Sequence, residues 1–468
     1  MPVSAEMAFA SIRTLGKKLR ENEFSAVELA DFFLNRLENI GPKLNAVVRV
    51  TRDLAMRQAA EADKELARGI DRGPLHGIPY GAKDLLATRD IPTSWGAAPL
   101  KEQVFDKDAT AILKMKSAGA VLVAKLAMVE IAGGLGYNQA NASFTGPGLN
   151  PWDVNAWSGG SSSGPGSAVG GGLVPMAIGS ETWGSIMVPA SYCGVSGLRP
   201  TYGRISRHGA MALSWTMDKL GPMCRTADDC GLMLNALAGR DKADPTSSRR
   251  PYEYPPQPAL QPPFRLGVLR GCTQGVQKQV RENFEKSVKV LSQYATVEDM
   301  DLPDMPYGVV SATFVSCEMA AAFEGLVTSG DVWEMTAPED RIGAHAALMI
   351  PAKDYINAMR IRPFIQQALD DILAQYDAVI SPTLPAVANP LNVSFGEYHR
   401  RHRGNSLGGA GNAAGVPAIS IPNGFGERDL PTGLQLVGRA FEENRLLAIA
   451  KLYQEKTTWH EKTPKPLS

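Results

Sequence analysis

Cysteine is scarce in this sequence, with 5 residues among 468. None of the five stands in a Cys-x-x-Cys pair or beside histidine at the spacing of a zinc site, so the sequence predicts neither a disulfide framework nor a structural zinc module. We expect buried free thiols in a reducing compartment. An excess of either charge is also missing, because 48 Lys and Arg residues balance 48 Asp and Glu residues. Nucleic-acid-binding proteins are typically basic, so the composition predicts no nucleic-acid partner.

Long apolar runs are missing as well. No stretch reaches the roughly 18 apolar residues that favour a transmembrane helix, and Met1–Phe9 lacks the charged start and apolar core of a signal peptide. The sequence therefore predicts a cytoplasmic protein without a membrane partner. Hydrophobic residues make up 44% and charged residues 21% of the chain, which is ordinary for a globular protein. We expect one domain over residues 1–468.

Glycine and serine are abundant between Ala156 and Ser206. The segment Gly159–Gly166 is predicted to be neither helix nor central strand, because glycine and proline disfavour both. The apolar run Leu173–Ile178 predicts a short buried strand, followed by a tight loop that delivers Ser185. Two serine-bearing loops so close in sequence predict a nucleophile with a hydroxyl group that assists it.

A lysine lies in a short apolar segment far upstream. Ile78–Leu86 predicts a buried strand or strand end that carries Lys83. Burial disfavours the charged ammonium and lowers a lysine pKa, so a buried Lys83 can act as a base, and Ser-Lys pairs are a known variant of serine hydrolase chemistry. The alternative is an exposed surface lysine.

These segments together resemble the amidase signature family of serine hydrolases. The family has a Gly-x-Pro-x-x-x-Lys-Asp segment, present here as Gly77–Asp84, and a Gly-Gly-Ser-Ser segment, present as Gly159–Ser162. A second serine follows the first after 24 residues, which is the separation of Ser161 and Ser185. The resemblance extends from about residue 20 to about residue 460.

The resemblance implies a role for each matching residue. Ser185 is expected to be the nucleophile, Ser161 a proton relay that follows a cis Gly160–Ser161 bond, and Lys83 the base. A hydrogen-bond chain from Lys83 through Ser161 to Ser185 is expected. The oxyanion hole is expected from the backbone N–H groups of four residues: Thr182, Trp183, Gly184 and Ser185. Neither a cofactor nor a metal ion is expected.

The fold class follows from the alternation of strand and helix patterns and from the same resemblance. Thr110–Ala118 predicts a helix and Gly119–Lys125 a buried strand, which favours an α/β protein. The family adds a large mixed β-sheet with helices on both faces. Residues 1–68 are predicted to be a helical lead-in that packs on the core formed by residues 69–468.

The sequence departs from the family's usual Asp-Thr-Gly-Gly-Ser-Ile-Arg segment, since Glu181–Met187 carries a longer acid, a tryptophan and a methionine. We expect Trp183 and Met187 to bind substrate together with Ala132, at the start of a glycine-containing loop. Their apolar character predicts a hydrolase of neutral, hydrophobic or aryl amides, with carbamates and esters as related substrates. The alternative is that Trp183 packs in the core.

Other interpretations remain at this point. Ser162 fits a Gly-x-Ser-x-Gly nucleophile elbow but lacks the preceding apolar strand, and His208 would suit a Ser-His-Asp triad. The main functional hypothesis is a free-standing amidase whose partners are a small amide and water, with a homodimer as the one assembly considered. The alternatives are the amidase-like A subunit of a glutamine-dependent tRNA amidotransferase and a catalytically silent binding protein.

Overall fold

A single 11-stranded sheet organises the molecule, which is described here by a computed structural model for residues 3–465. The strands are β1 Val47–Val50, β2 Pro79–Lys83, β3 Val121–Leu126, β4 Leu149–Asn150, β5 Asp153–Trp157, β6 Met176–Glu181, β7 Ser196–Arg199, β8 Lys219–Cys224, β9 Phe264–Leu269, β10 Ala295–Met300, β11 Ala378–Pro382, β12 Ala418–Phe425 and β13 Pro431–Val437. Strands β4 and β5 form a separate antiparallel pair. The order in the main sheet is β1-β3-β2-β6-β8-β7-β12-β13-β11-β9-β10.

The sheet is mixed, as predicted. Strand β2 runs parallel to both β3 and β6, and β9 runs parallel to both β10 and β11. The strands between these two parallel groups are antiparallel to their neighbours. The central strands are buried along their whole length, whereas β1 and β10 at the two edges are partly exposed. The catalytic candidates therefore lie at the centre of the sheet.

Helices pack on both faces of the sheet, which confirms the predicted fold class. They are α1 Ile12–Arg20, α2 Ala26–Asn39, α3 Gly41–Leu44, α4 Arg52–Ala67, α5 Thr110–Ser117, α6 Ser163–Gly170, α7 Met187–Cys193, α8 Ala227–Leu237, α9 Lys278–Leu291, α10 Tyr307–Ala322, α11 Glu324–Thr328, α12 Pro338–Ala347, α13 Ala352–Leu373, α14 Phe395–Arg401, α15 Gly408–Ala414 and α16 Glu443–Glu455. A capping box begins α2, since the Ser25 and Glu28 side chains each bond the other residue's backbone N–H. None of the helices in residues 3–465 is long and apolar enough to cross a bilayer.

The lead-in is not purely helical, which corrects one prediction. Strand β1 lies within residues 1–68 and pairs antiparallel with β3, with Val47 opposite Leu126. Three of its four residues are valine, whose branched side chain suits a pleated surface. The four-residue run was too short to stand out between helical patterns. The lead-in thus contributes an edge strand to the main sheet.

A second correction concerns the glycine-rich segment. Residues Ser163–Gly170 form helix α6, and every one of them is buried. Proline is tolerated here because Pro165 lies in the first turn, where its missing N–H has no helical acceptor. Glycine is required at Gly164, since a Cβ atom there would lie 2.4 Å from the backbone nitrogen of Ala127 and 2.5 Å from the carbonyl oxygen of Ala46. The small residues let a helix enter the core, and it begins directly after the two serines Ser161 and Ser162.

Candidate active site

Lys83 ends strand β2, and its side chain is fully buried. Its Nζ donates to three hydroxyl groups, at 2.7 Å from Ser161 Oγ, 2.9 Å from Ser180 Oγ and 3.1 Å from Ser162 Oγ. The predicted buried lysine is therefore confirmed, and the exposed alternative is wrong. Strand β2 positions Lys83. The turn before α6 supplies Ser161 and Ser162, and strand β6 supplies Ser180.

The pKa of Lys83 is low for a lysine. Burial lowers this pKa to about 7, although the charges of Asp218 and Glu181 oppose the shift. An ordinary lysine is almost entirely charged at neutral pH, whereas this one is substantially neutral. The neutral amine has a lone pair that can accept a proton from Ser161, which suits general-base chemistry.

The two adjacent serines before α6 have different surroundings. The Gly160–Ser161 peptide bond is cis, as the resemblance predicted. The Ser162 hydroxyl donates to the Ser180 carbonyl at 3.1 Å and accepts from the Ser180 N–H at 3.2 Å. Ser162 is fully buried and is committed to these bonds, so it is not the exposed nucleophile of an elbow motif.

Ser185 follows strand β6 and lines a cavity. Its carbonyl accepts a 3.2 Å hydrogen bond from the Ser162 N–H, which joins the two serine loops. The predicted bond between the Ser161 and Ser185 hydroxyls is not formed in residues 3–465, so only the Lys83–Ser161 half of the expected chain is present. Catalytic hydrogen bonds of this kind tighten when substrate binds, which accounts for the difference.

The loop from β6 to Ser185 contains backbone N–H groups that have no acceptor in the protein. Within the described chain, the backbone N–H groups of Trp183, Gly184 and Ser185 donate no hydrogen bond to protein atoms. Gly184 has φ 86°, a left-handed conformation that glycine adopts readily. Trp183 is not left-handed, so tryptophan causes no backbone strain in the loop. Backbone N–H groups without a protein acceptor, in the loop that carries Ser185, are suited to stabilise a negatively charged oxygen.

The buried carboxylate of Glu181 forms hydrogen bonds that hold this loop in place. Its Oε2 accepts from the N–H groups of Ile186 and Met187 at 2.9 and 3.0 Å. Its Oε1 accepts at 3.0 Å from both Arg199 Nη1 and Asn412 Nδ2. Burial alone raises its pKa, but Arg199, Lys219 and the two N–H groups outweigh burial and hold the pKa below the usual value. Glutamate thus fixes the turn after Ser185.

Two further charged residues hold the same loop, and no sequence pattern pointed to either. The Thr182 hydroxyl donates to Asp218 at 2.5 Å. Buried Lys219 donates to Asn412 Oδ1 at 3.0 Å and to the Thr182 carbonyl at 3.4 Å. Burial holds the pKa of Lys219 well below the ordinary lysine value. Both residues act on the loop and contact neither Lys83 nor Ser185 by hydrogen bonds.

The cavity at Ser185 has a volume of about 270 Å³ and mostly apolar walls. Ala132 and Trp183 line it, as predicted. Trp183 is 42% exposed, so it does not pack in the core, and a Cβ atom at Gly409 would lie 3.6 Å from its ring. Met187 is not on the wall: it starts α7 and is buried. Its role in substrate binding therefore stays a prediction that the cavity lining does not support.

Histidines near the site differ from the sequence hypothesis. His208 lines a second cavity of about 330 Å³ and not the wall around Ser185, which argues against a Ser-His-Asp triad. His399, which had no diagnostic setting in the sequence, lines the Ser185 cavity. Burial, and then His402, lower its pKa. In the part of the chain that the structure describes, no three His, Cys, Asp or Glu side chains are grouped to hold a metal ion.

Comparison with known proteins finds similarity along almost the whole chain. The chain is 33% identical to the A subunit of a glutamyl-tRNA(Gln) amidotransferase from Carboxydothermus hydrogenoformans, over 98% of this chain and 100% of the relative. Its fold matches native peptide amidase from Stenotrophomonas maltophilia at 28% identity and a TM-score of 0.83, over 98% of both chains. It also matches the A subunit of the glutamyl-tRNA(Gln) amidotransferase from Thermotoga maritima at 27% identity and a TM-score of 0.79, over 98% of this chain and 97% of that chain.

These similarities correct two predictions. The hypothesis of a free-standing hydrolase of neutral, hydrophobic amides is wrong, and so is the expectation of no nucleic-acid partner. Relatives of 33–35% identity are each named as one subunit of an amidotransferase, and that name includes a tRNA. The substrate hypothesis depended on two apolar side chains, Trp183 and Met187, and Met187 does not reach the cavity. The expectation from net charge failed because a neutral total says nothing about the other subunits of an assembly.

The family is settled by a match that contains the whole site. The model of the Amidase family matches residues 28–447. This span includes Lys83, Ser161 and Ser185 with the geometry described above. The solved structures with the same fold include a peptide amidase, an enzyme that acts on amide bonds by its name. The chain belongs to the Amidase family.

Proposed function

We propose that this chain is the amide-hydrolysing A subunit of a glutamine-dependent tRNA amidotransferase and that it releases ammonia from glutamine. The observation that carries the proposal is 33–35% identity to relatives of that name over 97–98% of the chain. Between 98 and 100% of each relative is covered, so the similarity is not confined to a shared catalytic core. The geometry of the candidate site supports hydrolysis of a carboxamide.

The first half of the reaction forms an acyl-enzyme. Ser185 Oγ attacks the carbonyl carbon of the amide, and the carbonyl electron pair moves onto oxygen. Ser161 takes the proton from Ser185 as it gives its own to neutral Lys83, 2.7 Å away. Lys83 then returns the proton through Ser161 to the amide nitrogen. The C–N bond breaks, ammonia leaves, and the acyl group stays on Ser185.

The second half releases the acid. Water attacks the acyl carbon, and the same path carries its proton to Lys83 and then back to Ser185 Oγ as the ester bond breaks. The backbone N–H groups of Trp183, Gly184 and Ser185 stabilise the negative oxygen in both halves. Glu181 supports this role because it holds the N–H groups of the two residues after Ser185 and so fixes the turn.

The second cavity supports transfer of ammonia. It meets the Ser185 cavity at Ala132, Thr182 and Leu213, which line both. It also reaches Ser180, a hydrogen-bond partner of Lys83. A small product released at Ser185 therefore has a second, partly open cavity beside the site.

The names of the relatives supply the partners of the proposed assembly. Each relative is one subunit of an amidotransferase whose name includes a tRNA. In the proposed assembly, this chain therefore works with further subunits and a tRNA, and it supplies the ammonia for the transfer.

The test compares hydrolysis with transfer. The purified chain, alone and assembled with the partner subunits of its own organism, is assayed for glutamate formed from glutamine and for glutaminyl-tRNA formed from glutamyl-tRNA. We expect both products from the assembly. The Ser185→Ala assembly is expected to lose both, since the nucleophile is gone. Added ammonium chloride is expected to restore glutaminyl-tRNA formation by this variant, because it replaces only the missing ammonia.

Two results contradict the proposal. One is glutamine-dependent transfer that survives Ser185→Ala. The other is an intact assembly that forms glutaminyl-tRNA from ammonium chloride but never hydrolyses glutamine. Peptide amides serve as the comparison substrates, because the solved relative from Stenotrophomonas maltophilia is a peptide amidase.

A further inference from the structure

Residues Glu130–Tyr137, called here the cavity loop, form part of the wall around Ser185. Ala132, Gly133, Gly134 and Tyr137 all line the cavity. Ile131 and Ala132 have left-handed backbones with φ of 37° and 59°. Residues other than glycine keep this conformation only where their surroundings enforce it. Contacts with residues outside the cavity loop therefore hold it in this conformation.

Glu130 connects the start of the cavity loop to helix α12. Its side chain is fully buried. One carboxylate oxygen accepts from the Thr336 N–H at 2.8 Å, and the other accepts from the Ala337 N–H at 2.7 Å. These are the two residues directly before α12, where a negative charge interacts favourably with the helix dipole. Both oxygens of the Glu130 carboxylate thus bind the start of α12.

Asp340 makes the reciprocal connection from the first turn of α12 to the end of the cavity loop. It is fully buried, and its Oδ1 accepts from the Tyr137 N–H at 2.8 Å. Its Oδ2 has no hydrogen-bond donor among residues 3–465. Burial, and then the adjacent carboxylate of Glu130, raise the pKa of Asp340 to about 8. A proton on Asp340 accounts for both observations.

The other groups around this pair do not neutralise it. Glu339 on the same helix adds a third negative charge, which also raises the pKa of Asp340. Tyr137, on the loop side, is partly buried, and burial and then the charge of Asp340 raise its pKa, so the phenol stays neutral. No lysine, arginine or histidine of the described chain forms an ion pair with Glu130 or Asp340. The connection thus depends on the proton of Asp340.

We propose that Glu130 and Asp340 are positioning residues that hold the cavity loop against α12, and that substrate binding depends on a proton carried by Asp340. The pair acts on substrate only through the loop and takes no part in the chemistry at Ser185. The substrate is the glutamine of the proposed function, on which this inference rests. Gly343 adds to the close fit of the two elements, because a Cβ atom there would lie 1.9 Å from the Leu135 carbonyl oxygen.

The direction of the pH effect follows from the two states of the loop. In the held state Asp340 keeps its proton up to pH 8 or so, whereas in an open, hydrated loop an aspartate loses it near its ordinary pKa of about 4. Between these two pKa values, each unit of increase in pH raises the equilibrium constant for opening the loop by at most about tenfold. Above that range both states have lost the proton, and the dependence levels off.

The test measures hydrogen–deuterium exchange in peptides covering residues 130–137 of the full chain, corrected for the intrinsic exchange rate at each pH. We expect protection in the native protein to fall as the pH rises from 6 to 8 and then to level off. Asp340→Asn is expected to keep its protection throughout, because an amide donates to Glu130 without titrating. With glutamine as substrate, KM is expected to rise several-fold over the same range in the native protein and to stay flat in Asp340→Asn, with kcat unchanged by the substitution.

Glu339→Gln is the matched control, since Glu339 neighbours Asp340 but accepts only from Gln139 Nε2, at 3.1 Å. It is expected to keep the pH-dependent loss of protection, moved to lower pH, because the charge of Glu339 is among those that raise the pKa of Asp340. Protection that is independent of pH in the native protein overturns the inference, and so does Asp340→Asn following the native curve. The native measurement decides even if Asp340→Asn does not fold. Because exchange needs no substrate, absence of glutamine hydrolysis counts against the proposed function alone.

Discussion

At the scale of single residues, the surroundings of Lys83 determine what the site can do. Its hydrogen-bond partners are neutral hydroxyls, and the nearest negative charges are Asp218 and Glu181, which do not bond to it. A carboxylate in contact would stabilise the ammonium and raise the pKa. Burial dominates instead, so the amine is available as a base near neutral pH.

The pH dependence of kcat/KM is therefore expected to report Lys83. The rate is expected to rise as the pH increases through about 7, because Lys83 accepts a proton only after losing its own. Well below that pH the rate should fall about tenfold per unit. Lys83→Arg stays protonated throughout and is expected to lose on the order of 10³-fold or more in kcat. Steady-state kinetics from pH 5 to 9 measure both effects.

Two comparisons make this test specific. Lys101→Arg, a change at an exposed lysine, is expected to leave the profile unaltered. The losses from Lys83→Ala and Ser185→Ala are expected not to add in the double variant, since both residues serve one proton path. A native profile with no rise near pH 7, or additive losses, would argue against Lys83 as the base.

Motifs explain which residues could be predicted. Lys83, Ser161 and Ser185 lie in contiguous segments whose residue types and spacing carry the signal. Glu130 and Asp340 meet across more than 200 residues of sequence without any local pattern, so only the fold reveals them. Trp183 and Met187 show the limit of local reasoning. They lie only four residues apart, yet Trp183 lines the cavity and Met187 begins helix α7.

At the scale of elements, helix α6 is the part that composition described wrongly. Glycine and proline favour loops when a segment is considered alone. In the core, the same residues remove side chains that would keep the helix away from its neighbours. By contrast, the local sequences of α4 and β9, Arg52–Ala67 and Phe264–Leu269, favour the same structure that the fold gives them.

Gly164→Ala is expected to destabilise the protein by about 3 kcal/mol or more, because the new methyl meets backbone atoms that cannot move aside. The matched control is Gly325→Ala in the exposed helix α11, where no atom lies within 4 Å of the added Cβ. This control is expected to be neutral or to stabilise by about 0.5–1 kcal/mol. Urea unfolding followed by circular dichroism measures both. Equal midpoints for the two variants would contradict the packing of α6.

At the scale of the whole molecule, the two halves of the chain meet inside one sheet. Strand β7 lies between β8 and β12, and Arg199 of β7 pairs with Ala418 of β12. The Pro-rich crossing at residues 241–263 leads from α8 to β9. A cut in this crossing would leave both β7 and β12 with an unpaired edge in the middle of the sheet.

Fragments 1–250 and 251–468 are therefore expected not to fold separately. Each would expose an edge that is buried in the intact sheet, together with its apolar faces. Co-expression of the two fragments is expected to restore a soluble complex. Near-ultraviolet circular dichroism and urea unfolding of each fragment provide the measurement. A sharp, cooperative transition in the isolated fragment 1–250 would instead indicate two domains.

The same sheet order sets a waiting time during synthesis. Ribosomes add roughly 5–20 residues per second, so Arg199 waits roughly 10–45 s before its partner Ala418 has been made. Throughout that interval the nascent chain carries an unpaired strand edge, which is a template for association with other chains. Production of this protein should therefore improve with chaperones that shield the chain until β12 emerges, whereas slower translation should lengthen the exposure and lower the yield.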